Sequence, residues 1–258
     1  MKLYAKVIGS GKPMVILHGL FGSGDNWITF ANTFAAKGFQ IHLLDARNHG
    51  RSPHEPAFNY SVMAEDLQEY LLDHSLHDPI LIGHSMGGKT VLRHAGTHPS
   101  SARVRIIVDI GPRGFPLRHA EVVEALKAVD FNIHTSRKSV EAVLRDRLSD
   151  EGNVQFLAKN LYWATSDRLA WRFDLDSISA SIHEVGAQVD LHSDPSAFLL
   201  FVRGTLSDYI TDADILAIRS VCPTASFMDV TGAGHRVHIE RPSEFVSVVE
   251  TFLSTVHE

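Results

Sequence analysis

Cysteine is all but missing: the 258 residues contain one, Cys222, so an internal disulfide and a cysteine-built metal site are both excluded. Cys222 lies in an apolar stretch that runs into Pro223 and reads as a buried structural thiol. No apolar run approaches the roughly 18 residues of a membrane span. The opening Met1-Lys2-Leu3 has neither the apolar stretch nor the small-residue cleavage site of a signal peptide. The expected compartment is therefore the cytoplasm, without membrane insertion. Clusters of lysine and arginine are absent too: 24 basic side chains against 30 acidic ones give a net charge of −6. Such a surface offers little to a nucleic-acid backbone or an anionic membrane. Hydrophobic residues at 44% and charged ones at 21% also exclude a disordered or fibrous chain. What the sequence has in plenty is histidine, 16 in all, enough to make net charge near pH 6 vary steeply.

At roughly 150 residues per domain, the length suits one large α/β unit carrying an insertion. Short β-branched runs alternate with amphipathic stretches, the pattern of βαβ units around a mostly parallel sheet. Met14 to Leu17, Ile41 to Leu44, Ile80 to Ile82, Val104 to Ile110, Phe198 to Val202 and Ala225 to Val230 read as buried strands, and alternating Lys2 to Ile8 as an antiparallel edge strand. One interval breaks the rhythm. Residues 111–196 separate two core strands where a crossover needs about 10 to 12 residues. Apolar spacing over Ala120 to Val129, Ser139 to Leu148 and Val154 to Tyr162 makes this insertion helical. The expected division is a core of residues 1–110 and 197–258 with a cap at 111–196, over the carboxyl edge where open α/β sheets bind ligands.

Gly83-His84-Ser85-Met86-Gly87 directly follows an apolar strand and opens a helical stretch. In a chain of this length such a match should arise by chance roughly 0.1 times at average composition. Its chemistry is that of a strained strand-to-helix turn that lifts a serine hydroxyl clear of the sheet. A serine is a weak nucleophile until a base takes its proton, so a histidine is required downstream. Gly232-Ala233-Gly234-His235 supplies one in a loop of small residues, with His238 as the nearby competitor. The acid that orients the imidazole has two candidates: Asp208, in the loop after the Phe198 to Val202 strand, and Asp109, at the end of the preceding one. An oxyanion needs fixed donors, and the backbone N–H groups of Met86, behind the serine, and of Leu20, in His18-Gly19-Leu20-Phe21-Gly22, are placed to provide them. His18 reads as a loop support. His94 and His98, four apart, have zinc spacing without the accompanying glutamate and read as surface residues; no metal or cofactor is expected. Arg47, His49 and Arg51 read as structural support beside the site.

Taken in order, His18-Gly19, Gly83-His84-Ser85-Met86-Gly87 and Gly234-His235 resemble the α/β-hydrolase superfamily. Asp45-Ala46-Arg47-Asn48-His49-Gly50-Arg51-Ser52-Pro53, Ser85-Met86-Gly87-Gly88-Lys89 and Glu151-Gly152-Asn153-Val154-Gln155-Phe156-Leu157 are similar, more narrowly, to the YbfF-type bacterial esterases, over nearly the whole chain. The resemblance implies a mostly parallel, eight-stranded-type sheet with a helical cap inserted after the sixth strand. It also implies a serine esterase for small acyl esters or thioesters. It draws the triad acid to Asp109, in Asp109-Ile110-Gly111-Pro112, whereas the broader superfamily places its acid where Asp208 stands; both stay candidates. Other reactions of similar triads, carbon–carbon bond hydrolysis, perhydrolysis and lyase chemistry, remain alternatives, as does a ligand sensor without turnover. Oligomeric state is silent.

Overall fold

Short apolar runs with no polar face become strands covered on both sides, because a solvated strand would alternate. The computed structural model describes residues 1–116 and 119–256; Leu117 and Arg118, within the expected insertion, and the last two residues lie outside it. The strands β1 (Ala5–Gly9), β2 (Lys12–Leu17), β3 (Phe39–Leu44), β4 (Ile80–His84) and β5 (Val104–Val108) come first. A small pair, β6 (Leu161–Trp163) and β7 (Leu169–Trp171), precedes β8 (Phe198–Gly204) and β9 (Ser226–Val230). Seven of these form one sheet in the order β1-β3-β2-β4-β5-β8-β9. All its neighbours run parallel except β1, which lies antiparallel on β3 at the edge.

Seven strands, not eight, make this sheet among the described residues. Strand β1 is outermost beside β3, and the insertion follows the fifth strand in chain order rather than the sixth. Successive side chains point to opposite faces, so the sheet feeds two cores. Met14, Ile16, Ile80, Ile82, Ile106 and Val108 pack under the helices Ile28–Ala35 and Pro242–Thr255. Val15, Leu17, Leu81, Ile107 and Phe201 face the helices Tyr60–Asp73 and Met86–Thr97. Among the described residues no helix is long and apolar enough to cross a membrane.

Between β5 and β8 lie the helices Ala120–Lys127, Arg137–Arg145, Glu151–Ala158, Leu175–Ala180 and Ile182–Val185. Side chains of Ser136, Asp150 and Asp174 accept backbone N–H groups at three of their starts, which satisfies donors that a helix leaves open. The segment also contains the β6–β7 pair, antiparallel from Leu161↔Trp171 to Trp163↔Leu169. A helical reading missed it because three residues are too few for a period of two to register. Val123, Leu126, Val140, Leu144 and Leu157 of the insertion belong to the same apolar cluster as Leu81 and Ile107 of the sheet. Lys89, 1% exposed, fastens both stems by donating to the carbonyls of Arg113 and Ala187. Burial and the nearby Arg113 lower its amine to about 8.

The polar loop after β3 is a support: Arg47 Nε and Nη2 grip Asp66 at 2.6 and 2.7 Å, and buried His49 accepts the Phe21 N–H at 3.1 Å. Histidine burial corrects the surface reading of His94, which is 0% exposed with Nε2 on Gln68; His98 is half-buried beside Glu65. His18, His42, His49, His84, His94 and His238 are all buried. Desolvation holds each below its ordinary range: His42 at about 4 and His49, His84 and His94 at about 3. These six therefore stay neutral in the fold near pH 6 and do not share in the charge swing that composition implied. The unfolded chain takes up protons below about pH 6.5 that the folded chain refuses. Stability is thus complete above that pH and is lost as pH falls toward the folded values. Each contributes up to about 1.4 kcal/mol per pH unit of the loss. The melting temperature is expected to drop by about 10 °C or more between pH 7 and pH 5; scanning calorimetry giving equal values at both would contradict neutral burial.

Candidate active site

Strand β4 ends at His84 and the next helix begins at Met86, so Ser85 turns the chain alone. Its backbone sits at φ 52°, ψ −117°, a left-handed setting that costs a side-chain-bearing residue roughly 1–3 kcal/mol. Neighbours hold it there: Ser85 N–H donates to Val108 and the Ser85 carbonyl accepts from Lys89 N–H, both at 3.1 Å. A Cβ on Gly83 would stand 2.3 Å from the Gly87 carbonyl oxygen, so the turn closes only with glycine. The loop after β2 presses equally close, since a Cβ on Gly19 would meet His84 Nδ1 at 2.8 Å and Ser85 Cβ at 3.3 Å. That approach brings Leu20 beside Ser85, with Met86 on the helix side; both are buried. His18 supports the loop, accepting the Ala46 N–H on Nε2 at 3.0 Å and so donating from Nδ1 to the Gly19 carbonyl at 2.8 Å.

Asp109 follows β5, the strand next to β4, and is also left-handed, at φ 51°. Its carboxylate, 0% exposed, accepts the Gly204 N–H at 3.0 Å, the Ser207 hydroxyl, and His235 Nδ1–H at 2.8 Å. Burial pushes its carboxyl up to about 6, against the opposing pull of Ser207 and Gly204. With Nδ1 donating, the other ring nitrogen is a lone pair, and His235 Nε2 lies 3.0 Å from Ser85 Oγ. The structure thus links Ser85, His235 and Asp109 in one hydrogen-bonded row. Asp208 is exposed, and its backbone carbonyl accepts from Arg113 at 3.1 Å. Asp109, carried by the strand beside the serine's own, has its carboxylate on the His235 ring, while Asp208, in the loop after β8, is exposed. Ser207, its neighbour, is the member of that loop that reaches Asp109.

His235 is flanked by rings. Tyr209 stacks on it at 3.9 Å and 18°, and His84 lies at 4.7 Å and donates Nε2–H to the His235 carbonyl at 2.8 Å. His238 is packed instead against Trp27, at 3.8 Å and 4°. Ser207, Tyr209 and the Gly204 N–H carried no recognisable pattern in the sequence; their one signal was proximity to the carboxylate at 208. Ser85 and His235 open on a cavity of about 450 Å³. Leu20, Phe21 and Trp27 line it from the core, and Val122, Phe156 and Leu157 from the insertion. Arg47, His49 and Arg51 do not line it. A mostly apolar chamber with one serine hydroxyl bonded to an oriented imidazole can bind a small acyl compound and attack its carbonyl.

Residues 12–139 match the family model described as the alpha/beta hydrolase fold. The sn-1-specific diacylglycerol lipase ABHD11 of Mus musculus is 35% identical over 93% of this chain and 80% of its own length. Esterase YbfF of Escherichia coli is 32% identical over 95% of this chain and 94% of its own. Among solved structures, a marine microorganism esterase superposes with a TM-score of 0.93 and 37% identity, covering 98% of this chain and 99% of that one. By identity sustained along nearly its whole length, the chain belongs to the α/β-hydrolase superfamily, among its serine ester hydrolases.

Proposed function

We propose that the protein is a carboxylesterase that hydrolyses small acyl esters, and acyl thioesters of similar size, with Ser85 as nucleophile, His235 as base and Asp109 as the orienting acid. The hydrogen-bonded row from Ser85 Oγ through His235 to Asp109 is the observation that carries this reading. His235 Nε2 takes the hydroxyl proton as Oγ bonds to the carbonyl carbon, and the N–H groups of Leu20 and Met86 receive the oxyanion. The imidazolium then protonates the departing alcohol or thiol, leaving an acyl-serine. Water, deprotonated by the same imidazole, attacks that acyl group and the serine takes its proton back. Throughout, Asp109 holds the tautomer that keeps Nε2 free and stabilises the ring once it is charged.

The insertion acts here as a cap: Val122, Phe156 and Leu157 close the chamber above Ser85. The lipase relatives are named for a diacylglycerol, whereas the chamber of about 450 Å³ favours compact esters.

Ser85→Ala should lower turnover of p-nitrophenyl acetate by at least about 10⁴-fold; a rate near the parent's removes Ser85 from the role. Asp109→Asn should cost about 10³–10⁴-fold in kcat and Asp208→Asn less than about twofold, and the opposite ranking would make Asp208 the acid. Between pH 8 and 5, kcat/KM should fall, because protonation takes away the base and because the Asp109 carboxyl, raised to about 6, loses its charge in the same interval. A flat profile would speak against a histidine base. The p-nitrophenyl esters and acyl-CoAs, run at several acyl lengths, should give highest kcat/KM with short chains. Fluorophosphonate labelling of Ser85 without multiple turnover on any of them would favour a ligand sensor instead.

A further inference from the structure

The proposed reaction requires the imidazole of His235 to become a cation and to keep one orientation while it does so. Of the groups around it, Asp109 lies on Nδ1 and favours the cation. Glu240 accepts the N–H groups of Gly234 and Arg236 on either side of His235 in the chain, at 2.7 and 3.1 Å. Arg236 turns its guanidinium away, to Asn153 at 2.7 Å and Asp150 at 3.5 Å. His84 and His238 are held neutral by burial. His119 lines the same chamber, and among the described residues the face of the ring carries a further contact. Tyr209 covers it at a centroid distance of 3.9 Å and an interplanar angle of 18°, close enough for the π-electrons of one ring to meet a charge spread over the other.

We propose, building on the reading of His235 as the base, that Tyr209 is a positioning residue whose ring face fixes the imidazole plane and stabilises the imidazolium formed during acyl transfer. Its placement is built rather than incidental. The Tyr209 N–H donates to Ser207 Oγ at 3.3 Å, and that same hydroxyl donates to Asp109, so one short turn seats both the ring and the acid. Behind Tyr209 stands Phe115, at 5.1 Å and 50°. The Arg113 guanidinium lies 4.0 Å over the Phe115 ring and the Lys89 ammonium 5.1 Å from it. The first stem of the insertion therefore backs the ring that backs the base. A neutral imidazole gains little from a facing π-cloud and a charged one gains more, so the contact favours the protonated form. Removing the ring should make His235 harder to protonate and harder to orient.

The test compares kcat, KM and the pH dependence of kcat/KM on p-nitrophenyl acetate for the parent, Tyr209→Leu, Tyr209→Phe and His235→Ala, with melting curves alongside. Tyr209→Leu should lower kcat about 3- to 30-fold with little change in KM and move the acid limb to lower pH by about half a unit to one unit. Tyr209→Phe, which keeps the ring face, should return the limb to the parent's position. Should the leucine variant melt below the assay temperature, Tyr209→Met serves the same comparison. An acid limb that stays in place in the leucine or methionine variant overturns the proposal, as does a phenylalanine variant that behaves like leucine, since the hydroxyl would then be the working group. With His235→Ala inactive, either result removes Tyr209 alone; an active His235→Ala removes the base assignment and this inference with it.

Discussion

A carboxylate without solvent contact has to be satisfied by protein, and Asp109 sets that demand at the end of β5. Desolvation alone would neutralise it, which is the direction its raised carboxyl takes. What opposes this is a set of donors drawn from other strands: the Gly204 N–H at the end of β8, the Ser207 hydroxyl just beyond it and His235 from the loop after β9. Each donor fixes the position of a loop. The carboxyl edge of the sheet is thus organised around one buried oxygen pair, and the imidazole reaches the serine because its far nitrogen is already spoken for. Leaving that carboxylate uncompensated would cost more than any of these contacts singly contributes.

A second buried ion performs the analogous task for the insertion. Lys89 stands one helical turn past Ser85 and donates to carbonyls at both stems, on Arg113 and Ala187. The rings of Tyr60 and Phe115 lie 5.7 and 5.1 Å from its nitrogen. A cation removed from water tolerates little displacement of its acceptors, so the insertion is registered against the helix that follows Ser85. Further bonds reach the core at separate points, Asn160 to the Phe21 carbonyl at 2.8 Å and Asp174 N–H to the Asn48 carbonyl at 2.9 Å. Leu157 of the chamber's roof and Leu20 and Phe21 of its floor belong to one apolar cluster, and Trp27 to the other.

The histidines divide by environment, not by motif. Those in the apolar interior are neutral supports: His18 for the loop beneath Leu20, His49 for Phe21, and His84 for the His235 carbonyl. Each donates or accepts as one tautomer, and each penalises acidification because the unfolded chain can be protonated where the folded one cannot. His235, 27% exposed at its side chain, combines a carboxylate on one nitrogen with a serine on the other.

Much of this was legible in the sequence, because it rests on local rules. Two-sided apolar runs marked six strands of the main sheet, alternation marked the seventh, the edge strand β1, and glycines flanking Ser85 announced a turn that admits no side chain. The same small-residue logic pointed to His235. The hairpin β6–β7 escaped, being too short to show a period, and so did the burial of His94, whose helical spacing looks the same on either face. The choice between Asp109 and Asp208 could not be read from spacing, since each ends or follows a strand. The path of the folded loops brings Asp109 to the imidazole and leaves Asp208 exposed, and that path is a property of the assembled sheet. Ser207 and Tyr209 became part of the site for the same reason: their contacts, with Asp109 nearly a hundred residues earlier and with His235 on another loop, exist only once β5, β8 and β9 lie side by side. The sequence by itself determined the turn, the nucleophile candidate and the base candidate; the tertiary structure decided which carboxylate bonds the imidazole of His235, which hydroxyl supports that carboxylate and which ring lies on the imidazole, because those depend on distances across strands and not on distances along the chain.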